Sequence, residues 1–157
     1  MTTKNLFNQI KAKQSFLCVG LDVDQDYFPV KFNDSPDNIF NFSKSIIDTT
    51  AKYCVGYKIN IAFFEAYGKE GWNSLEKVMD YLNNYYPEIF TIADAKRADI
   101  GNTSKRYAKA YFDHFDFDSI TVAPYMGADS VEPFLTYKDK HTILLALTSN
   151  IGAADFQ

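Results

Sequence analysis

The sequence predicts an α/β fold built on a parallel sheet. Five short apolar runs recur along the chain, amphipathic helical patterns fill the gaps, and polar residues gather at the C-terminal ends of the runs. Strand and helix alternating in this way is the layout of α/β proteins. At 157 residues the chain is about the size of one domain. Two architectures fit the rhythm, a doubly wound open sheet and a (β/α)8 barrel.

The runs are FLCVGLD (16–22), YCVGYKIN (53–60), IFTIADAK (89–96), DSITVAP (118–124) and TILLALTS (142–149). They are continuous rather than alternating in hydropathy, which suits parallel strands covered on both faces. Ser35 and Pro36 predict the N-cap and first residue of a helix on which Ile39, Phe42, Ile46 and Ile47 form the buried stripe. Leu75, Val78, Met79 and Leu82 predict a second helix, with Pro87 stopping the chain beyond it. Asn102 or Thr103 would cap a third, bearing Tyr107, Ala108, Tyr111 and Phe115. Asp129 would cap a short fourth, with Val131, Phe134 and Leu135 facing inward. These stripes follow the helical period and are expected in the core, not around a ligand.

Composition narrows the function. The chain is 46% hydrophobic and 23% charged, enough for a packed core and unlike a disordered segment. A net charge of −4 argues against a nucleic-acid binder held by a basic face. No apolar run approaches the roughly 18 residues of a membrane span. The segment MTTKNLFNQIKAKQ is polar and lacks the apolar middle of a secretory signal, so a soluble cytoplasmic protein is expected. Cys18 and Cys54 lie in apolar runs and are expected to be reduced and buried. Neither has a Cys or His at metal-binding spacing. His114 and His141 are isolated and are expected to be structural or surface groups. Neither GxGxxG nor GxxxxGK[ST] follows any run, which weighs against dinucleotide and P-loop sites. There is no repeat beyond the βα rhythm and no low-complexity linker.

The charges carry more information. IADAKRADIGNT (92–103) places Asp94, Lys96, Arg97 and Asp99 at the end of an apolar run. Strand side chains alternate faces, so Asp94 and Lys96 share a face with Phe90 and Ile92. Lys58 and Asn60 pair in the same way at the end of the second run. Asp22 ends the first, and Thr148 and Ser149 end the fifth. Ion pairs that merely finish a strand, Asp94 with Lys96 and Arg97 with Asp99, would account for one such cluster. Polar residues at four strand ends point instead to a pocket mouth, because parallel α/β folds keep their sites there.

At these residues the chain resembles a known family. D-x-K-x-x-D, here Asp94, Lys96 and Asp99, resembles the signature of the orotidine 5′-phosphate decarboxylases. FLCVGLDVD, YKIN, IADAKRADIGNTSKRYA, DSITVAPYMGADSVEPF and LLALTSN resemble, in the same order, blocks of a bacterial branch whose signature is close to D-A-K-R-G-D-I-G-N-T. Several related sugar-phosphate enzymes on the same barrel share the triplet, so the extended blocks make the resemblance specific.

The resemblance implies a (β/α)8 TIM-type barrel with about five of its eight strands present, residues 1–157 forming the N-terminal part of one barrel domain. It implies cofactor-independent decarboxylation of orotidine 5′-phosphate to UMP in pyrimidine biosynthesis, with no metal. The catalytic array would be Lys58, Asp94, Lys96 and Asp99. Asp99 would cross a homodimer interface together with Ile100 and Thr103. Asp22 would hold the ribose hydroxyls with Asn60 nearby, and Ser149 would meet the pyrimidine amide edge with Thr148 as a neighbour. The partners implied are the small-molecule substrate and a second copy of the chain, not nucleic acid or membrane.

The reaction suits such an array. Loss of CO2 from the ring leaves a vinylic carbanion with no π system to absorb it, where other decarboxylases use a cofactor as electron sink. Here fixed charge must act: Lys96 beside the carbanion as proton donor, Asp94 near the departing carboxylate, and Lys58 and Asp99 holding both in a balanced array.

Two positions depart from the family. Ala98 stands where the family has Gly, a change that would strain the backbone if φ there is positive. Ile59 replaces a Pro common in this branch, with a mild effect expected. The family's phosphate-gripping loop and Arg belong to the part of the barrel after the fifth strand, and strand edges left unpaired would invite association. Two other readings remain in view: a metal-assisted sugar-phosphate lyase or synthase on the related barrel, and a non-catalytic assembly module.

Overall fold

The computed structural model describes residues 1–33 and 37–157, so the proposed Ser35–Pro36 cap lies outside the described residues. Five strands form the sheet: β1 (Cys18–Leu21), β2 (Gly56–Asn60), β3 (Phe90–Arg97), β4 (Ser119–Val122) and β5 (His141–Leu144). Each pairs in parallel with the next in sequence, giving the order β1-β2-β3-β4-β5. A doubly wound sheet reverses its order at a switch point. The unbroken succession is that of a barrel wall, which decides between the two architectures.

The helices cover one face. α1 (Thr3–Lys13) precedes β1, and the short α2 (Val30–Asn33) precedes α3 (Asn38–Thr50). α4 (Ile61–Glu65) and α5 (Gly68–Tyr85) link β2 to β3, α6 (Gly101–Ala108) follows β3, and α7 (Ala128–Leu135) follows β4. α3 buries Ile39, Ser43 and Ile47, while α5 buries Gly71, Ser74, Leu75, Val78, Met79 and Leu82 at spacings of three and four. They pack on the outward residues of the sheet, Leu21, Tyr57, Ile59, Ala93, Ile120 and Val122, all buried. α4 and α5 meet so closely that a Cβ on Gly71 would lie 1.8 Å from the Phe64 carbonyl oxygen.

Beneath the sheet, the Lys13 ammonium donates to the carbonyls of Ala51 and Cys54 at 2.8 and 2.9 Å, closing the end of α3. His141 opens β5, with Nε2 2.8 Å from the Met1 carbonyl and its ring against Phe90, and the exposed His114 lies 3.6 Å from Glu76. Both histidines have the structural or surface places expected of them. No helix among the described residues is long and apolar enough to cross a membrane.

Several local expectations need correction. β1 and β5 are not covered on both faces. Cys18 is exposed while Cys54 is buried, and Ile143 and Leu144 of β5 are partly exposed. Both strands are edges of the described sheet, so each lacks a neighbour on one side. The fifth run is strand only through Leu144, and Leu147 is exposed. Asn102 and Thr103 do not cap α6. They lie inside its first turn, which follows Ile100 without a side-chain cap. The helix then widens into a π turn over Lys109–His114 that buries Tyr111 and Phe112. α7 starts after Gly127, whose φ of 105° suits glycine, and Asp129 sits within its first turn. Leu135 at the end of α7 is exposed rather than inward, beside the uncovered Leu144.

Candidate active site

Register puts the chemistry on the concave face. Gly20 pairs with Lys58 and Lys58 with Ile92, while Asn60 pairs with Asp94. The inward residues at the C-terminal ends of β1, β2 and β3 are therefore Asp22, Lys58, Asn60, Asp94 and Lys96. The four charged ones form a row of alternating charge. The Lys58 ammonium lies 3.8 Å from Asp22 Oδ1 and 3.1 Å from Asp94 Oδ2, and the Lys96 ammonium lies 2.5 Å from Asp94 Oδ1. Two carboxylates and two ammonium groups leave the row neutral, which makes its partial burial tolerable. Asp94, at the centre, is only 11% exposed, whereas the side chains of Asp22 and Lys96 at the two ends are about half exposed at 47% and 52%.

Burial alone would raise the Asp94 carboxyl, but the hydrogen bonds from Lys96 and Lys58 together outweigh it and hold the group below the ordinary aspartate range. Asp94 is thus held as an anion, and Lys96 is a half-exposed cation bonded to it on the open side.

Local backbone sets this geometry. β3 slips against β4 between Ala93 and Arg97, where Ala93 pairs with Ile120 and Arg97 with Val122. Within the slip Lys96 takes a left-handed conformation, φ 48°. Thr121 of β4 fills the gap: its hydroxyl accepts from the Lys96 amide at 2.9 Å and donates to Asp94 Oδ1 at 3.1 Å. Thr121 was not among the expected site residues. Its signal was present in the alternation of Ser119 and Thr121 with Ile120 and Val122, which marks an inward polar face. Ala98 is not among the residues with positive φ, so replacing the family Gly costs the backbone nothing there. Ile59 is fully buried on the outward face.

Asn60 lies beside Asp94 in register but caps α4, its side-chain oxygen accepting from the Ala62 amide at 3.4 Å. The remaining expected residues are placed apart from the row. Arg97 does not pair with Asp99: it turns to the outward face and meets Glu65 and Tyr111. Asp99 accepts from the Ile100 amide at 2.7 Å, and Ile100 and Thr103 are exposed. Thr148 is engaged with Asn150 and Gln157, and Ser149 is exposed. Among the described residues no hydrogen bond or ion pair joins Asn60, Asp99, Ile100, Thr103, Thr148 or Ser149 to the row, and no group of three or more His, Cys, Asp or Glu is placed to hold a metal ion.

Sequentially ordered parallel strands with a charged rim at their C-terminal ends define the class: a (β/α)-barrel protein with its site at the top of the wall. Within that class, the chain belongs to the orotidine 5′-phosphate decarboxylase / HUMPS family, whose model matches residues 15–157. Over its whole length the chain is 62% identical to the orotidine 5′-phosphate decarboxylase of Christiangramia forsetii and 63% identical to that of Flavobacterium johnsoniae, spanning 58% of each. Its fold superposes on the crystal structure of an orotidine-monophosphate decarboxylase from Toxoplasma gondii with a TM-score of 0.90 at 38% identity, covering 99% of this chain and 52% of that one. For the Leishmania donovani OMP decarboxylase the TM-score is 0.83 at 39% identity, covering all of this chain and 58% of that one. The chain thus spans little more than half the length of the relatives it matches.

Proposed function

We propose that residues 1–157 are the N-terminal part of a single (β/α)8 barrel that decarboxylates orotidine 5′-phosphate to UMP. The observation that carries this is the neutral Asp22–Lys58–Asp94–Lys96 row on the rim of β1, β2 and β3. The substrate would lie across the open side of the row. Asp94, held ionised by its two lysines, would face the substrate carboxylate. Two unit charges at ~4 Å repel by roughly 4 kcal/mol at an effective dielectric near 20. That repulsion is relieved as CO2 leaves, a gain of up to about a thousandfold in rate. Lys96 would stabilise the carbanion and then transfer an ammonium proton to the ring carbon. The C–C pair stays on the ring, CO2 departs neutral, and the lysine is reprotonated from water.

The remaining residues complete the site in this reading. Asp22 binds the ribose hydroxyls, with Asn60 beside it, and Ser149 and Thr148 meet the pyrimidine amide edge. Asp99, Ile100 and Thr103 serve the site of a second copy in a homodimer. The exposure of Ile100 and Thr103 and the lack of bonds from all three to their own row support that assignment. The phosphate grip would come from the part of the barrel that the longer relatives have in addition. No metal or cofactor enters, and a cytoplasmic location without nucleic-acid or membrane partners accords with the net charge of −4.

The test is to incubate the protein, alone and supplemented with the remaining βα units of a close relative, with orotidine 5′-phosphate while following loss of the orotate absorbance. Turnover that Lys96→Ala abolishes supports the proposal. Absence of turnover in both forms, with association intact by sedimentation, would favour the assembly module.

A further inference from the structure

Lys96 reaches Asp94 from a left-handed backbone, φ 48°. For a side-chain-bearing residue this conformation costs on the order of 1–2 kcal/mol and persists only where the surroundings over-determine it. We infer that Arg97, anchored by Glu65 and Tyr111 on the outward face, is a positioning clamp that keeps Lys96 in this conformation and so sets its ammonium on Asp94. The kinetic consequence rests on the decarboxylase reading above; the conformational one does not.

The geometry is that of a bracket. Arg97 Nη1 donates back to the Ala95 carbonyl at 2.9 Å, so the guanidinium spans the strained residue between them. Nη2 donates to the Tyr111 hydroxyl at 3.0 Å and pairs with Glu65 of α4. The guanidinium carbon lies 5.4 and 5.6 Å from the ring centres of Tyr107 and Tyr111. On the β4 side, the Arg97 carbonyl accepts from the Ala123 amide at 3.0 Å, and the Lys96 amide is taken by Thr121. The backbone of residues 95, 96 and 97 is therefore tied at each residue, while the Lys96 side chain reaches Asp94.

A bridge that merely joined α4 to β3 would need Glu65 alone and would leave the Ala95 carbonyl out. Burial, the leading influence, pushes the Tyr111 phenol up to about 12, so it stays protonated while its oxygen accepts from Arg97. The planar fork makes these contacts together, which a lysine point charge cannot.

The experiment compares the parent with Arg97→Lys and Tyr111→Phe. Backbone amide exchange and Cα chemical shifts of Lys96 report its conformation, and kcat and KM for orotidine 5′-phosphate, in the barrel form that turns over, report its consequence. In Arg97→Lys the Lys96 amide should exchange about tenfold faster and its shift leave the left-handed range, while Ile59 and Ile120 stay protected. kcat should fall about 10- to 100-fold with KM within about threefold. Tyr111→Phe, which keeps the Ala95 bond, should move the same readouts by about threefold and decides the question if Arg97→Lys does not fold. Unchanged exchange and shift at Lys96, or an equal loss of protection throughout the sheet, overturns the clamp. A parent without turnover defeats the decarboxylase reading instead, and the exchange data still judge the clamp.

Discussion

Thr121→Val removes one hydroxyl and keeps the branched shape of the side chain. In the structure that hydroxyl is 7% exposed as part of Thr121 and has the Lys96 amide at 2.9 Å and Asp94 Oδ1 at 3.1 Å as its closer partners, with the Ala93 carbonyl at 3.5 Å. Leaving the amide without an acceptor costs about 1–3 kcal/mol, and losing a donor to a carboxylate about 1.5–3 kcal/mol. The second figure belongs at its low end, because Asp94 keeps both lysines. A net loss of about 2–4 kcal/mol is expected, with Thr121→Ser restoring most of it. Urea unfolding followed by the fluorescence of Trp72, the single tryptophan, measures the change, and the slope should stay constant. The Asp94 carboxyl should also titrate higher by NMR. A loss below about 0.5 kcal/mol with no movement of Asp94 would refute the bridging role of Thr121.

Gly71→Ala sets a Cβ 1.8 Å from the Phe64 carbonyl oxygen, a backbone collision that can be relieved only by parting α4 from α5. It should cost at least about 2 kcal/mol, visible as a lower melting temperature. The Asp94 carboxyl has a folded value below its unfolded one, near 3.9. Its contribution to stability is therefore present above about pH 4 and drains away as pH falls through the folded value, a slope that Asp94→Asn should flatten in urea midpoints measured between about pH 2 and 6. Lys13→Met removes the ammonium that closes the end of α3 through Ala51 and Cys54. Amides at the end of α3 should then exchange faster, with a stability loss of about 1–2 kcal/mol.

Much of this molecule was legible in advance because hydrophobic period and strand alternation are local properties. All five strands lie within or within one residue of the apolar runs, and Leu75, Val78, Met79 and Leu82 are buried as their spacing requires. Asp22, Lys58, Asp94 and Lys96 were legible as a group because each stands at a strand end on a predictable face. Less legible were features that depend on what a neighbour does. Cys18 and Leu135 are apolar by pattern yet exposed, since burial depends on a covering element that their own sequence does not encode. The cap of α6 was misplaced because Asn102 and Thr103 are good cap residues in a position where the chain had already turned helical. An Arg97–Asp99 pair was only the alternative to a pocket mouth, and in the structure Arg97 meets Glu65 of α4 instead, a contact its own segment does not encode.

By itself the sequence determined the class of fold, the family and the strand ends on which the charges stand, because these follow from periodicity and from motifs read within a few residues. Only the tertiary structure decided that the strands run in unbroken order, that Lys96 is left-handed, and that Thr121 and the Arg97–Glu65 pair hold it from opposite faces. Those are contacts between β3 and its neighbours β4 and α4, and their geometry follows from register and packing rather than from any local preference of the residues involved.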